Sequence, residues 1–461
     1  MANLNNSNLT SGFIDLATFD ALEQYMYGGA DATAYFVRET RKATWFTQVP
    51  VTLTKTGTAG FGQDWSVTIS RAGDYLLHSW LRVTIPTVTL ASGQTHGVNG
   101  RLRWTRNLMH NLIKSCTISF NDLVAARFDN YHLDFWSAFT VPAGKRNAYN
   151  NMIGTIDTLI NATAPSVPIP AATLNLPLPF FFSRDSGVAL PTAALPYNEM
   201  RINFSFRDWN ELLILDNVTN GLAAPPLSTD LAVIPVLGTS QVWANYAIVS
   251  NDERKKMAQA PRDILIEQVQ TAPVNNYAVP ASLTGAYEPQ FDLRFSHAVK
   301  VLFFGVRNKT TASEWSNYTC ASSVSSGGPV VDFAPSGALD PVVTTTLTYE
   351  NTTRLGSMGS DYFSLVAPFY QAPVVPTETG YHMYSYSLDF MALDPMGSTN
   401  YGKLTNVSVT PEASVGAMAG AIGSGSLASG LIRAQTYTFI VTAVNNNVIR
   451  ISGGALGFPV L

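Results

Sequence analysis

The sequence predicts an all-β chain made of two consecutive strand-rich halves behind a short helical arm. From residue 45 onward, apolar residues recur at every second position in many short segments, the period of a half-buried strand. Glycine, proline and asparagine separate these segments, as is typical of β-sandwiches and barrels. The 461 residues are 46% hydrophobic and 11% aromatic, which is enough for packed cores and excludes a disordered chain.

Residues 1–44 form a distinct N-terminal arm. An apolar stripe at helical spacing predicts one short amphipathic helix, and its members are Leu16, Phe19, Leu22 and Met26. Asp15 can cap the start of this helix, and Gly28-Gly29 can end it. The stripe has to be buried against its own domain or a neighbouring molecule. We therefore interpret these four residues as a candidate assembly interface.

Strand alternation is clearest in the first half, at residues 45–250. Within residues 74–85, one face carries Leu77, Leu81, Val83 and Ile85. Residues 114–120, 200–206 and 241–249 alternate in the same way. Residues 123–139 could hold one helix, although the phase of its apolar positions is poor, and residues 138–175 are predicted to form a long loop.

A short charged helix is predicted to connect the two halves, at residues 251–262. Ser250 and Glu253 have the spacing of a capping box, in which each side chain binds the other residue's backbone N–H. Pro261 stops the helix soon afterwards.

The second half, residues 263–461, returns to alternation. Strands are predicted at 264–269, 293–306, 344–349, 384–390, 404–410 and 437–451, with a hairpin turn at Asn445-Asn446-Asn447. Residues 310–345 and 411–432 are predicted to be long loops. Each half has about the size of an eight-stranded jelly roll with long loops, so we predict two such rolls in series. Identity between the halves is faint, and their duplication is inferred from architecture alone.

The charge content points to contacts between copies of the chain. Lysine and arginine total 28 and the acids total 32, a net charge of −4, and charged residues make up 13% of the chain against about 25% in a typical soluble domain. Such a surface suits a protein that is covered by copies of itself. The acidic balance argues against nucleic-acid binding, which depends on neutralising phosphates. We therefore interpret Arg101, Arg103 and Arg106, interleaved with Trp104, as an interface or a salt-bridged strand end.

No catalytic, metal or cofactor site is predicted. The sequence lacks nucleophile-elbow and phosphate-loop motifs, and its six histidines are scattered. Cys116 and Cys320 are too few for a disulfide framework. Asp185 could be a loop carboxylate in acid/base chemistry, but a turn-forming role with a salt bridge to Arg184 is the better interpretation.

Several segments, in order along the whole chain, resemble the major capsid proteins of iridoviruses, and more broadly the double jelly-roll capsid proteins of large double-stranded DNA viruses. The most specific stretch is PFFFSRDSG at 179–187, followed by LPYNE at 195–199. Others are TSGFIDL at 10–16, RAGDY at 71–75, YENT at 349–352, GSTNYG at 397–402 and GFPVL at 457–461.

The resemblance implies a homotrimer whose six rolls form a pseudo-hexagonal capsomer, and an icosahedral virion shell tiled by such capsomers and assembled in the host cytoplasm. Implied partners are further copies, minor capsid and penton proteins, and possibly proteins of an internal viral membrane, with no direct nucleic-acid contact. The arm would lie on the inner side of the shell, with Leu16, Phe19, Leu22 and Met26 as buried anchors. Long loops would form outward towers.

Two alternatives to this structural role stay open. A double jelly-roll glycan amidase would need paired carboxylates and usually a secretory signal, and neither is visible. A glycan-binding surface protein could stack sugars on Trp315 and Tyr318, although core or interface packing is the simpler role for both.

Overall fold

The computed structural model describes residues 4–91, 99–165, 167–218, 222–321, 339–423 and 434–458. The chain divides into two compact units, Met1–Trp45 and Phe46–Leu461. The described helices are α1 (Leu4–Ala17), α2 (Ala21–Tyr27), α3 (Leu108–Leu112), α4 (Asn130–Thr140), α5 (Ala143–Ile153), α6 (Asp157–Ile160), α7 (Asn251–Gln259), α8 (Ala367–Gln371) and α9 (Val415–Ile422).

The N-terminal unit contains two helices instead of the single helix expected. Asp15 lies inside α1 and does not cap a helix, so that expectation was wrong. Asp20 instead caps α2, because its side chain accepts hydrogen bonds from the backbone N–H groups of Leu22 and Glu23. Gly28 ends α2 as expected.

The first half of the larger unit is a jelly roll. Its strands are β1 (Phe46–Thr52), β2 (Thr54–Thr56), β3 (Asp64–Thr68), β4 (Tyr75–Ile85), β5 (Gly100–Trp104), β6 (Ile113–Phe120), β7 (Leu123–Phe128), β8 (Ala172–Pro177), β9 (Met200–Phe206), β10 (Leu213–Asn217), β11 (Ala223–Ala224) and β12 (Ser240–Val249). Eight of them form two facing antiparallel sheets, β1-β12-β4-β8 and β3-β9-β6-β7. Strand β2 extends the second sheet, and β11-β10-β5 is a small separate sheet.

The second half repeats this arrangement. Its strands are β13 (Arg262–Thr271), β14 (Asn275–Tyr277), β15 (Phe291–Asp292), β16 (Ala298–Asn308), β17 (Val342–Tyr349), β18 (Thr352–Gly359), β19 (His382–Ser385), β20 (Thr399–Asn400), β21 (Val407–Ala413), β22 (Tyr437–Ser452) and β23 (Ala455–Gly457). The facing sheets are β13-β22-β16-β19 and β15-β21-β17-β18.

The two halves have the same strand order. When the eight facing strands of each half are counted along the chain, the sheets read 1-8-3-6 and 2-7-4-5 in both. This order places the last strand beside the first, as paired Greek keys do in a jelly roll. The prediction of two consecutive eight-stranded jelly rolls is confirmed.

A bulge changes which residues of β4 face the core. The pairing of β4 with β12 shifts between Asn245 and Tyr246, which reverses the alternation beyond that point. Leu76 is therefore fully buried, whereas Leu77, expected on the core face, is only half-buried.

Polar side chains overturn two other expectations. Residues 123–139 are not one helix, because Asp129 ends the run of β7 and caps α4. Asn445, Asn446 and Asn447 do not turn the chain and lie inside the continuous strand β22. Asn445 and Asn447 hydrogen-bond glutamines of the neighbouring strand β13, which holds the segment extended.

The connector and the expected loops are more ordered than predicted. Helix α7 forms as expected, but the Ser250 side chain makes no capping hydrogen bond. Residues 138–175 contain α5, α6 and β8, so they are not a long loop. Residues 415–422 form α9, while residues 322–338 and 424–433 of the other expected loops lie outside the described residues.

Three apolar clusters organise the larger unit. One fills the first roll, a second fills the second roll, and a third lies between the rolls. The third cluster packs the aromatic side chains Phe135, Trp136 and Phe139 of α4 against Val301 and Phe303 of β16. We call this region the junction.

We predict that Gly305→Val destabilises the protein by about 1–3 kcal/mol. A Cβ at Gly305 would lie 3.1 Å from the Phe135 ring and 2.9 Å from the Gly380 carbonyl oxygen. At Gly356 the nearest atom to a Cβ is 3.5 Å away, so Gly356→Val is the matched control. Thermal unfolding of both variants tests this, and an unchanged midpoint for Gly305→Val would contradict the described packing of α4.

Candidate functional site

The described residues offer no cluster of side chains suited to a metal ion. They contain no group of three or more metal-ligating side chains, and both cysteines are free and buried. Burial raises the pKa of Cys320 to about 12 and that of Cys116 well above its ordinary value, so both thiols stay protonated at neutral pH. The most elaborate polar arrangement is instead the junction between the rolls.

Helix α4 is the centre of the junction. Every residue from Asn130 to Phe139 is buried, so the helix is enclosed by both rolls rather than lying on a surface. The Phe135 and Phe139 rings stack on the Phe303 ring at centroid distances of 6.2 and 5.4 Å. Trp136 meets the same ring edge to face at 6.3 Å.

The Asp134 carboxylate on α4 binds both rolls. From the first roll, Asn107 Nδ2 donates to Oδ1 at 3.1 Å and His110 Nδ1 at 2.8 Å. From the second roll, the hydroxyls of Ser316 and Tyr318 donate to Oδ2 at 2.9 and 3.0 Å. Asp134 is fully buried, so its charge depends on these four donors in place of water.

A second buried group crosses the junction. Lys300 Nζ donates to Glu267 Oε1 at 2.5 Å and to the Ala392 carbonyl oxygen at 2.7 Å. Arg184 Nε from the first roll lies 3.0 Å from Glu267 Oε2, and its guanidinium stacks 3.6 Å above the Trp136 ring. Both rolls therefore contribute cations to one buried carboxylate.

This geometry corrects the expected pairing of Arg184 with Asp185. Arg184 forms its ion pair with Glu267 of the second roll. Asp185 instead caps a short 3₁₀ turn by accepting a hydrogen bond from the Ser186 N–H. The expected turn-forming role of Asp185 is confirmed, and its expected salt bridge was wrong.

Two arginines of the cluster at 101–106, Arg103 and Arg106, form salt bridges, in agreement with one of the two interpretations. Arg103 Nε pairs with Asp216 Oδ2 at 2.6 Å, and Arg103 Nη2 lies 3.4 Å from Glu314 of the second roll. Arg106 pairs with Glu378 of the second roll at 2.5 Å. These arginines are thus further links across the junction.

The two candidate sugar-stacking residues are packed inside the protein. Tyr318 is 1% exposed. The half-buried Trp315 ring lies between two guanidiniums, with Arg207 at 3.6 Å and Arg307 at 3.9 Å from its centroid. Both faces of the indole are therefore covered by cations.

His132 is a buried group without a hydrogen-bond partner for either ring nitrogen among the described residues. Its ring lies against Phe128 and Trp136. Burial, aided by the nearby charge of Arg184, lowers the pKa of His132 to about 3. The folded protein therefore holds this imidazole neutral throughout the physiological range.

The arm residues predicted as an assembly interface lie on or between the two N-terminal helices. Leu16 is in α1, Phe19 is between the helices, and Leu22 and Met26 are in α2. All four are exposed, from 57% for Phe19 to 75% for Leu16. No helix among the described residues is long and apolar enough to span a membrane.

Comparisons with known proteins agree with the two-roll architecture. Residues 34–249 match the family model "Major capsid protein N-terminus", and residues 253–457 match "Large eukaryotic DNA virus major capsid protein". Among solved structures, the PBCV-1 capsid is similar at a TM-score of 0.72, with 21% identity over 93% of this chain and all of that one. The Faustovirus major capsid protein is similar at a TM-score of 0.68, with 12% identity over 98% and 99% of the two chains. The fold is the double jelly roll of viral capsid proteins.

Sequence relatives define the family more narrowly. The chain is 65% identical to the major capsid protein of Costelytra zealandica iridescent virus, over 99% of this chain and 100% of the relative. It is 47% identical to that of Frog virus 3, over the full length of both. The chain belongs to the iridovirus major capsid proteins, and its place is the capsid shell of the virion.

Sequence reasoning missed Asp134, Glu267 and Lys300 of the junction. Asp134 is the one charged residue at 131–139, Glu267 is the one at 264–271, and Lys300 is the one at 298–306. A single charge inside an apolar segment is a signal that the charge is buried and paired. The sequence shows each isolated charge, but it does not identify the residue that pairs with that charge.

We predict that Asp134→Asn lowers the free energy of unfolding by about 3 kcal/mol. The variant replaces one carboxylate oxygen by an NH₂ group. This hydrogen-bond donor then faces side chains that are themselves hydrogen-bond donors. Asp252→Asn, at an exposed position of α7, is the control and should be neutral. Equal denaturant midpoints for the two variants would show that Asp134 does not hold the junction.

We predict that His132→Phe reduces the loss of stability in acid. The unfolded chain takes up a proton at His132 below about pH 6.5, whereas the folded protein does so only near pH 3. Stability from neutral His132 is therefore complete above about pH 6.5 and declines towards pH 3, by about 2 kcal/mol at pH 5. His132→Phe removes this decline, while His78→Gln at an exposed position changes it much less. The free energy of unfolding is measured between pH 7 and 4 for each protein. If it falls equally with pH in His132→Phe and in the parent, the prediction is wrong.

Proposed function

We propose that the chain self-assembles into homotrimers of pseudo-hexagonal outline that tile an icosahedral shell. The supporting observation is that one chain carries two rolls of identical strand order joined by a buried junction. Three such chains in a closed ring present six similar sides, and identical rings of that outline can tile a surface with few kinds of contact. Contacts between rings can each be weak, because a closed shell adds them together.

We expect the purified protein to have a mass of about 150 kDa, three times 49.9 kDa, because a closed threefold ring satisfies all of its heterologous contacts. Light scattering measures the mass, and electron microscopy of the same sample should show a hexagonal outline. A protein that remains monomeric at high concentration, or a ring of another copy number, would refute the trimer.

We propose that the molecular role is structural and not enzymatic. The buried carboxylates Asp134 and Glu267 are occupied by donors and cations of the chain itself. The two thiols are held protonated by burial. Arg103 and Arg106 of the basic-aromatic cluster are engaged in ion pairs, and the net charge is −4, which supports shell building without direct nucleic-acid contact.

We propose that residues 1–44 serve as an assembly arm on the inner side of the shell, ahead of a first roll at 45–250, a connector at 251–262 and a second roll at 263–461. The four exposed apolar residues Leu16, Phe19, Leu22 and Met26 would be buried on assembly. Minor capsid proteins, penton proteins or proteins of an internal viral membrane are the proposed partners. Assembly would take place in the host cytoplasm.

Replacing Leu16, Phe19, Leu22 and Met26 together by serine should leave soluble trimers that fail to form shells, because each exposed apolar side chain contributes about 1.5–3 kcal/mol when buried. Tyr25→Ser is the control, since Tyr25 is 86% exposed but lies outside the stripe. Co-expression with the other capsid components, followed by sedimentation and electron microscopy, compares the variants. Intact shells from the fourfold variant, or from a chain lacking residues 1–30, would exclude this role of the arm.

A further inference from the structure

The outward face of the sheet β1-β12-β4-β8 carries a row of four side chains, two of them tryptophan, that crosses all four strands. The strand register places Thr52 opposite Trp243, Trp243 opposite Trp80, and Trp80 opposite Pro177. The two indoles stack with centroids 6.2 Å apart and planes inclined by 11°. Neighbouring residues along each strand are in the core, so both half-buried tryptophans point away from it. We call this feature the aromatic row.

The composition of this sheet is that of a protein interface. Its four strands contain no aspartate, glutamate or lysine, and their basic residues are His78 and Arg82, next to Trp80 on the outward face. A sheet face that stays in water usually carries lysine and acidic residues. Enrichment in tryptophan and arginine with depletion of lysine and acids is characteristic of the centre of protein–protein contacts.

The opposite sheet of the same roll has a complementary surface. Its outward residues on β3, β9 and β6 are small and polar: Ser66, Asn203, Ser205, Ser115 and Thr117. We call them the small-residue floor. Because these side chains are short, they leave a depression of about 570 Å³. Asp64 is exposed at its rim.

The charges of the two surfaces are also complementary. Arg82 beside the aromatic row and Asp64 beside the floor are both exposed. Neither takes part in a salt bridge with the residues that the structure describes. The aromatic row with Arg82 and the small-residue floor with Asp64 lie on opposite faces of the roll. The two charges can therefore form an ion pair only between two copies of the chain.

We propose that the aromatic row of one copy docks into the small-residue floor of a neighbouring copy, with Arg82 facing Asp64. This inference rests on the self-assembly proposed above and identifies one of its contact surfaces. The contact is heterologous, since two different surfaces meet, and such contacts propagate around rings or across a lattice.

The size of the face indicates that the contact is individually weak. The four strands are 7, 10, 11 and 6 residues long, and at a spacing of about 4.8 Å they cover roughly 20 by 28 Å. This area of about 560 Å² is smaller than the roughly 800 Å² per partner that a standard stable interface buries. The contact should therefore be occupied in assembled shells, where repetition strengthens it, and not in dilute capsomers.

Disulfide trapping between two variants tests the docking directly. One variant carries Arg82→Cys and the other Asp64→Cys, and the two are co-assembled and then oxidised. The native cysteines are buried and do not compete. We expect a cross-linked species of twice the chain mass from this pair, and none when Asp252→Cys replaces Asp64→Cys. Shells that form normally but give no cross-link would overturn the proposal and leave the capsid function standing.

A charge exchange supplies an independent test that does not depend on oxidation. Arg82→Asp and Asp64→Arg should each raise the protein concentration needed for shell assembly by about tenfold, because like charges then meet. The chain carrying both substitutions should assemble as the parent does. Thermal unfolding of each variant controls for folding. Equal assembly by all four proteins, or failure of the double variant to recover while it unfolds at the parent temperature, would refute the pairing.

Discussion

The carboxylate of Asp134 is the contact on which the relative position of the two rolls depends. It accepts donors from Asn107 and His110 of one roll and from Ser316 and Tyr318 of the other. In a region closed to water, none of these groups can exchange its partner for solvent, so a shift of one roll against the other would leave a buried charge without two of its four donors. The surrounding aromatic rings of α4 contribute the burial energy, and Asp134 fixes the geometry.

A fixed junction is also what the proposed capsomer requires. A ring of three chains has nearly six equal sides only if each chain holds its two rolls at a constant angle. A flexible linker would let that angle vary and would lose the uniform outline on which tiling depends. The buried ion pairs of Glu267 and Arg106 contribute to this specificity of arrangement more than to stability, since buried pairs gain little over apolar packing.

The sequence predicted individual strands well and the junction poorly. The predicted and observed bounds of strand β9 agree to the residue. Its apolar residues alternate with polar ones, and this period of two indicates that one face of the strand is buried. The apolar residues are Met200, Ile202, Phe204 and Phe206. Helix α4 was not recognised as a separate element, since it is buried all round and has no polar face to set its phase. Asn445 to Asn447 resemble a turn in isolation and are held straight by glutamines about 175 residues away in the chain.

The low charge content of the chain has a different structural basis in each region. In the sheet β1-β12-β4-β8 it accompanies an outward aromatic row. Where charges do occur in the junction, they are paired inside the molecule and unavailable to solvent. The surface therefore has few charges to repel other copies. Arg82 and Asp64, which form no salt bridge with the described residues, lie where they can select the orientation of a neighbour in the proposed contact. A surface of this kind favours ordered association because apolar area supplies the attraction while sparse charges exclude incorrect alignments.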